Sequence, residues 1–268
     1  MSFIINSYII SAVGYDPDAQ AFFTATGITN DVQKDAVNQL VLDLKAYSLW
    51  SKFIAIYPLV GGTSTTHKYN LVDPQDTDGA FRLVFAGGVT HDSNGITGNG
   101  TNATASTFVT PITHLSLNDA SAFIYIRDNT GGGYTDIGAL NSSAPQYRMQ
   151  MNPRNASDLF VTSLNNTTPS TSTASTDSKG LWGISRITST EYKQTKNSTQ
   201  TTISDASTTQ SSAIIALMAL GATASPFFAT YSPRNMAFAC IGSGLTDTEA
   251  DNLYTSVQTY QTALSRNV

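Results

Sequence analysis

Few residues of this chain have the types and spacing needed for hydrolytic chemistry. A retaining glycosidase needs two carboxyl groups a few ångströms apart, and the chain has only two glutamates, Glu191 and Glu249. Glu249 follows Thr246 at capping-box spacing, and Glu191 has no acid beside it in a strand-like segment. The aspartates are more numerous, but no pattern selects a pair. The sequence therefore predicts no catalytic residue.

The densest acidic segment is DPQDTDG, which contains Asp73, Asp76 and Asp78. Carboxylate oxygens suit Ca²⁺, so these aspartates are the candidate metal ligands. No acid stands at the closing position of an EF-hand loop, and we favour the alternative of a turn in which Asp side chains accept from backbone N–H groups. We therefore predict no cofactor and no metal site, with Ca²⁺ at this segment as the exception to test.

The three histidines, His67, His91 and His114, are scattered, and none stands at metal-ligand spacing from another or from Cys240. No G-x-S-x-G elbow accompanies them. We interpret each histidine as a structural or surface residue. Cys240 is the only cysteine, so no internal disulfide can form, and its apolar neighbours indicate a buried position.

His67 belongs to YPLVGGTSTTHKYN, residues 57–70, in which a diglycine precedes a run of hydroxyls. A phosphate-binding loop would need a helix to follow, but KYNL is typical of a strand. We predict a chain reversal whose backbone groups are satisfied by Thr63 to Thr66. GGGY, residues 131–134, and SNGITGNG, residues 93–100, lack the Lys and Ser/Thr of a P-loop and predict hairpin turns.

Composition limits the class of protein. Of the 268 residues, 12% are charged, against roughly 25% in a typical soluble protein. Since 40% are apolar and 10% aromatic, the chain is not disordered. A net charge of −5 leaves no basic stripe for phosphates, so we predict no nucleic-acid partner. The longest apolar stretch, residues 213–224, is too short for a bilayer, so we predict no membrane insertion.

Helix signals are concentrated at the two ends of the chain. Caps and apolar spacing predict helices over about residues 17–26, 30–50 and 247–265. Residues 1–14 read as an N-terminal arm, with Phe3 to Ile10 as a candidate docking segment, and 15–268 as one domain. Between the helices, short β-type runs separated by turn residues predict a sandwich or a barrel.

Two strand segments give more detail. In QYRMQM, Tyr147, Met149 and Met151 share one face, which is typical of a sheet with one buried side. EYKQTK and TQTTIS flank Asn197-Ser198, which predicts a two-residue hairpin turn. Residues 165–180, NNTTPSTSTASTDSKG, predict a long loop, because Pro169 and the run of Ser and Thr disfavour a central strand.

The block from YDPDAQAFFTATGITNDVQKDAVNQL to YPLVGGTSTTHKYNLVDPQDTDGAFRLVF resembles a module of tailed-bacteriophage virion proteins. SAFIYIR, LWGISRITSTEYKQTKNST and IGSGLTDTEADNLYTSVQTYQTALSRNV agree with it. The resemblance implies an all-β fold: a two-sheet antiparallel jelly-roll sandwich, concanavalin A-like or laminin-G-like, with N-terminal and C-terminal helices packed on it.

The resemblance also implies a role. We expect a non-enzymatic structural protein of the virion surface, a capsid-decorating or tail-associated subunit that displays a lectin-like module. The expected partners are other virion proteins, further copies of the chain, and a glycan of the host or of mucosal surfaces. A polysaccharide depolymerase, or another glycan-active enzyme on a jelly roll, is the alternative.

Overall fold

The computed structural model describes residues 14–167, 171–225 and 227–268. The predicted N-terminal arm, residues 1–14, lies outside this part of the chain except for Gly14. The helices within it are α1 (Pro17–Thr26), α2 (Asp31–Ala46), α3 (Ser64–His67), α4 (Pro111–His114) and α5 (Asp247–Ala263). None of these described helices is both long and apolar enough to cross a bilayer.

The long helices begin at residues that cap them. The Asp16 carboxylate accepts from the Asp18 N–H at 3.0 Å and starts α1. Thr246 and Glu249 form both bonds of a capping box at the start of α5. These side chains satisfy N–H groups that the first turn of a helix leaves without partners.

The second helix is shorter than predicted. It ends at Ala46, because Ser48 adopts a left-handed φ of 59° that an α-helix cannot contain. A single 3₁₀ turn, Trp50–Lys52, then leads into the first strand.

Short strands make up the middle of the chain. In chain order they are β1 (Phe53–Tyr57), β2 (Val84–Ala86), β3 (Thr90–Asp92), β4 (Gly95–Thr97), β5 (Thr104–Ser106), β6 (Ala120–Ile126), β7 (Ile137–Leu140), β8 (Arg148–Asn152), β9 (Leu159–Asn166), β10 (Thr171–Ala174), β11 (Gly180–Arg186), β12 (Tyr192–Lys196), β13 (Thr199–Ile203), β14 (Ala216–Leu217), β15 (Leu220–Ala222), β16 (Phe228–Ala229) and β17 (Asn235–Gly242).

These strands form two packed sheets. Sheet A has the order β13-β12-β11-β6-β17-β4-β3, with β1 also paired to β17. Sheet B has the order β10-β9-β8-β7-β14-β5-β2, with β15 beside β7 and β16 beside β15. Among the described strands, every pairing is antiparallel except β15 with β7. The protein is an all-β jelly-roll sandwich with helices of both chain ends packed on it.

The central strands of sheet A, β6, β11 and β17, are buried on both faces. One face meets sheet B through side chains such as Ile124 and Trp182, and the other meets the helices through Phe123 and Tyr125. This is why β6 is continuously buried instead of alternating. In NMAFACIG, residues 235–242, the period-two pattern predicts that Met236 and Cys240 share a face. A bulge after Met236 turns that residue toward sheet B instead, so the two side chains lie on opposite faces of β17.

Three predicted segments have a different structure. KYNL is not a strand, because Asn70 lies in a network in which its Oδ1 accepts from the Ile56 N–H at 2.9 Å. GGGY is not a hairpin turn, because it connects β6 in sheet A to β7 in sheet B. The loop predicted over residues 165–180 contains β10, which pairs with β9 at the edge of sheet B.

Buried arginines fasten loops to the sandwich. The side chains of Arg186, Arg234 and Arg266 are at most 1% exposed. Their guanidinium groups donate to backbone carbonyls: Arg186 to Leu164 and Asp205, Arg234 to Thr130 and Arg154, and Arg266 to Leu59 and Ala237. Because a guanidinium has five donors in a rigid fork, one side chain can hold two separate segments of the chain together.

Candidate functional site

The sandwich is open at one edge, where β10 of sheet B and β13 of sheet A face each other. The opening is a cleft of about 210 Å³, which we call the edge cleft. Its aromatic residues are Phe160 and Trp182, whose rings meet edge to face with centroids 4.7 Å apart. Its polar lining residues are Thr173, Gln194, Lys196, Thr199 and Thr201.

Strand register places polar side chains on the inner face of the sandwich here. Trp182, a core residue, stands directly opposite Lys196. Lys196 in turn stands opposite Thr199. Directly opposed residues point to the same face of a sheet, so both polar side chains share the inner face with the indole.

The same pattern continues along the neighbouring strands. Gln194 stands opposite the core residue Ile184 on one side and opposite Thr201 on the other. In sheet B, Thr173 stands opposite the core residue Phe160. Five inward positions on β10, β12 and β13 therefore carry hydroxyl, amide or ammonium groups where a sandwich normally carries aliphatic side chains.

The back of the edge cleft is a fixed hydrogen-bond network between the sheets. Gln194 is buried, and its Oε1 accepts from the Thr173 hydroxyl at 2.8 Å. Its Nε2 donates to the Thr162 Oγ1 at 2.7 Å, and that oxygen lies 2.7 Å from the Tyr192 hydroxyl. These bonds satisfy the buried amide and hold β12 against β9 and β10.

Lys196 supplies the charge of the cleft. Its ammonium lies 4.7 Å from the centroid of the Trp182 ring and donates to the Asp177 carbonyl at 3.1 Å. The indole Nε1–H donates to the Ser178 carbonyl at 2.7 Å, which fixes the ring. An ammonium has three donors, so Lys196 retains the capacity to donate to a ligand in the cleft.

The acidic segment predicted as a turn or a calcium site is engaged by basic side chains. The Asp76 carboxylate accepts from Lys68 and, at 2.9 Å, from Arg82. Arg82 also donates to Asp78 at 2.9 Å. Hydrogen bonds from Lys68 and Arg82 lower the pKa of Asp76. Across the described ranges no group of three His, Cys, Asp or Glu side chains could hold a metal ion.

Asp73, the third aspartate of the segment, forms no ion pair with Lys68 or Arg82. Its carboxylate accepts from the Gln75 side-chain amide at 2.8 Å, as in a local turn. The three predicted candidates thus take up different local partners.

Two of the histidines are brought together, although 24 positions separate them. The Nδ1 atoms of His67 and His91 lie 3.0 Å apart, and the Gly62 N–H donates to the Nε2 of His67 at 3.2 Å. His67 lies in α3, so a single helical turn follows the diglycine where the sequence predicted a chain reversal leading to a strand. His114 lies elsewhere and accepts from the Thr110 N–H at 2.9 Å.

The carboxyl groups of Asp136 and Glu249 are paired with basic side chains inside the protein. Asp136 is fully buried, where it pairs with Arg234 and accepts from Ser232 at 2.6 Å. Burial raises the pKa of Asp136 despite this pairing. Glu249 completes the helix cap and pairs with Lys52 at 2.6 Å.

One part of the edge cleft, the hairpin of β12 and β13, could be predicted from the sequence, but its position in a cleft could not. The predicted hairpin turn at Asn197-Ser198 is confirmed, since Lys196 pairs with Thr199 and Asn197 has a φ of 54°. Once that turn is fixed, Gln194 and Lys196 must share a face with Tyr192. What the sequence could not supply was the burial of that face against sheet B.

Comparison with known proteins shows the fold. No protein-family model matches this sequence, and no curated protein matches it. A mutant of Trypanosoma rangeli sialidase displaying trans-sialidase activity is similar at TM-score 0.54 and 10% identity, over 84% of this chain and 39% of that one. Trypanosoma rangeli sialidase in complex with 2,3-difluorosialic acid is similar at TM-score 0.52 and 8% identity, over the same shares.

This chain spans about two fifths of the length of those sialidases. At this level of identity the likeness extends to the fold alone. It agrees with the two-sheet jelly-roll sandwich described above.

Proposed function

We propose that this chain is a glycan-binding module that holds one sugar unit in the edge cleft. The observation that carries the proposal is the set of polar side chains at five inward positions beside Phe160 and Trp182. Sugars offer hydroxyl groups that both donate and accept, which suits this polar lining. The rings of Phe160 and Trp182 are at most 2% exposed and form the apolar back of the cleft. A cleft of about 210 Å³ suits one sugar ring better than a longer oligosaccharide.

Protection of the sheet edge does not account for these residues equally well. Proteins do place inward-pointing charges on edge strands to prevent edge-to-edge pairing. Here the inward charge, Lys196, lies on β12, whereas β13 is the edge strand of sheet A. Of the five polar side chains only that of Gln194 is buried, and the other four are half-buried or exposed at the mouth of the cleft, where a ligand can reach them.

Lys196 indicates the kind of sugar. Its ammonium is the one formal charge among the side chains that line the edge cleft. A carboxylate on the ligand would form a charge-assisted hydrogen bond with it, which is stronger than a neutral one. We therefore propose that the cleft prefers an acidic sugar, such as a uronic acid, to its neutral counterpart.

The test compares glucuronate with methyl glucoside by NMR. The indole N–H of Trp182 reports on the cleft, and that of Trp50, in the 3₁₀ turn beside α2, is an internal reference. We expect glucuronate to shift the indole signal of Trp182 and not that of Trp50. The variant Lys196→Gln should weaken glucuronate binding about tenfold. Lys193→Gln is the matched control, because Lys193 lies on the same strand and contacts Thr202 outside the cleft. Equal responses of both indoles would contradict the proposal.

We further propose that the module is displayed on a bacteriophage particle, with other virion proteins and further copies of the chain as partners. The resemblance of the block around residues 57–70 to virion modules supports this. Mass spectrometry of purified particles should find the chain in stoichiometric amounts. Its presence only in infected-cell lysate would contradict display on the virion.

The alternative function is a polysaccharide depolymerase. It would need a pair of available carboxyl groups, whereas Asp136 and Glu249 are both engaged by basic side chains. Incubation with host capsular polysaccharide separates the two functions. We expect binding without shortening of the chains, and shortening would favour the enzyme.

A further inference from the structure

A second pocket lies at the opposite edge of the sandwich, where the chain passes from β2 of sheet B to β3 of sheet A. It has a volume of about 370 Å³, and we call it the histidine pocket. Phe85, the linker Gly87 to Val89, and His91 line it, with Ser64 at the start of α3. Its lining side chains are uncharged at neutral pH, unlike those of the edge cleft.

The linker between the two sheets is held in one conformation. Gly87 has a φ of 73°, and a side chain there would lie 1.8 Å from the Asn102 carbonyl oxygen. The Asn99 side chain donates to the Gly87 carbonyl at 2.7 Å and to the Asn102 Oδ1 at 2.8 Å. The backbone that lines the histidine pocket is therefore preorganised.

The hydrogen bonds around His67 determine where the protons lie. Its Nε2 accepts from the Gly62 N–H, so in the neutral ring the proton must be on Nδ1. That proton can then only be donated to the Nδ1 of His91, 3.0 Å away. His91, in turn, must carry its own proton on Nε2. His67 thus fixes His91 as a hydrogen-bond donor.

The donor stands beside an aromatic surface. The rings of Phe85 and His91 are nearly perpendicular, at 83°, with centroids 4.5 Å apart, and both side chains are half-buried. A pyranose can pack its C–H face on an aromatic ring while one hydroxyl oxygen accepts from a neighbouring N–H. Because the lining carries no cation, a neutral sugar fits better than an acidic one.

We propose that the histidine pocket is a second carbohydrate site, for a neutral pyranose. In it, His91 Nε2–H donates to a ligand hydroxyl, and His67 is a positioning residue that sets the tautomer of His91. The same tautomer disfavours a hydrolase at Ser64, because a general base would need a free lone pair on the Nε2 of His91. This proposal is independent of the one for the edge cleft. With both sites, the module would bind a glycan at each edge of the sandwich.

The experiment uses the full ¹⁵N-labelled chain and methyl glycosides of glucose, mannose and galactose as probes. Long-range ¹H–¹⁵N spectra should show the proton of His91 on Nε2. Titration with at least one glycoside should shift the amide signals of Gly87, Gly88 and Val89. A proton on Nδ1 of His91, or no shift at these amides with any probe, would overturn the proposal.

Variants assign the roles of the two histidines. His91→Ala should abolish the shifts at Gly87 and Gly88 and leave the Trp182 response to glucuronate intact. His67→Gln should let His91 populate both tautomers and weaken glycoside binding about tenfold, without abolishing it. His114→Ala, the matched control, should change neither. If the Trp182 response fails while these shifts persist, the edge-cleft proposal is wrong and this one stands.

Discussion

The Nδ1 atoms of His67 and His91 lie 3.0 Å apart, so the proton on Nδ1 of His67 forms a hydrogen bond to the Nδ1 of His91. Burial, and then the nearby His91 and Arg266, lower the pKa of His67 to about 3. Burial also lowers the pKa of His91. Folding therefore keeps both rings neutral at a pH where a solvated histidine would be charged.

This pair predicts a loss of stability in acid. An unfolded histidine takes up its proton near pH 6.5, whereas folded His67 does so only near pH 3. Between these values the unfolded state binds more protons, so the free energy of unfolding falls as the pH falls. The slope is at most about 1.4 kcal/mol per pH unit for one histidine.

Urea unfolding of the wild type and of His67→Gln, between pH 7 and pH 4.5, checks this prediction. Asp128 and Asp136 oppose the trend, because burial raises the pKa of each and the folded state then holds their protons more tightly. Their effect is common to both proteins and is removed by comparing slopes. We expect the steeper loss in the wild type, and parallel slopes would contradict the neutral pair.

The buried pair of Asp136 and Arg234 predicts a large effect of a small change. Asp136→Asn removes the charge that compensates a guanidinium with no solvent exposure. Breaking one side of a buried ion pair costs about 3–5 kcal/mol. Asp158→Asn is the control, because that exposed carboxylate pairs with Arg154 at the surface and contributes less than about 1 kcal/mol. Similar midpoints of urea unfolding for both variants would contradict the prediction.

The pairing of Gly183 with Phe123 on neighbouring strands of sheet A predicts that a side chain at position 183 destabilises the protein. An added Cβ would lie 2.1 Å from ring atoms of Phe123, which is fully buried and cannot move aside. We expect Gly183→Ala to destabilise the fold by about 1–3 kcal/mol or more. At Gly133 an added Cβ meets no atom within 4 Å, so Gly133→Ala should change stability by less than about 0.5 kcal/mol. Thermal unfolding of the two variants gives the comparison.

The aspartates of DPQDTDG predict no response to calcium. Asp76 is held by Lys68 and Arg82, and a Ca²⁺ ion would have to displace both cations. We expect the same melting temperature in millimolar CaCl₂ and in EDTA. A higher melting temperature in CaCl₂ than in EDTA, with the difference lost in the variant Asp76→Asn, would contradict this prediction and support a calcium site.

The long helices and the β12–β13 turn could be predicted from local signals because those signals act within a few residues. The Asp16 cap, the box of Thr246 and Glu249, and the turn at Asn197-Ser198 each lie within one or two turns of backbone. Each could be predicted from the sequence for that reason. The strands whose burial depends on distant partners were harder, as the short β10 and the bulge in β17 illustrate.

The candidate sites depended on distant partners, and that is why the sequence did not reveal them. His67 and His91 meet only because the chain crosses between sheets after β2. Lys196 is inward only because sheet B covers the face of β12 that Trp182 shares. Spacing along the chain predicts neighbours within an element, whereas both of these pairs are products of how separate elements pack.

The pairing of β1 with β17 joins segments about 190 residues apart, and β6 lies between β11 and that same β17. The middle of sheet A therefore cannot be completed until the chain has been synthesised beyond Gly242, where β17 ends. Contacts of such high sequence separation slow folding, because loop closure comes before any gain from packing. Until then the apolar stripe of α2 has no complete sheet to cover it, so this apolar surface stays exposed during the early stages of folding.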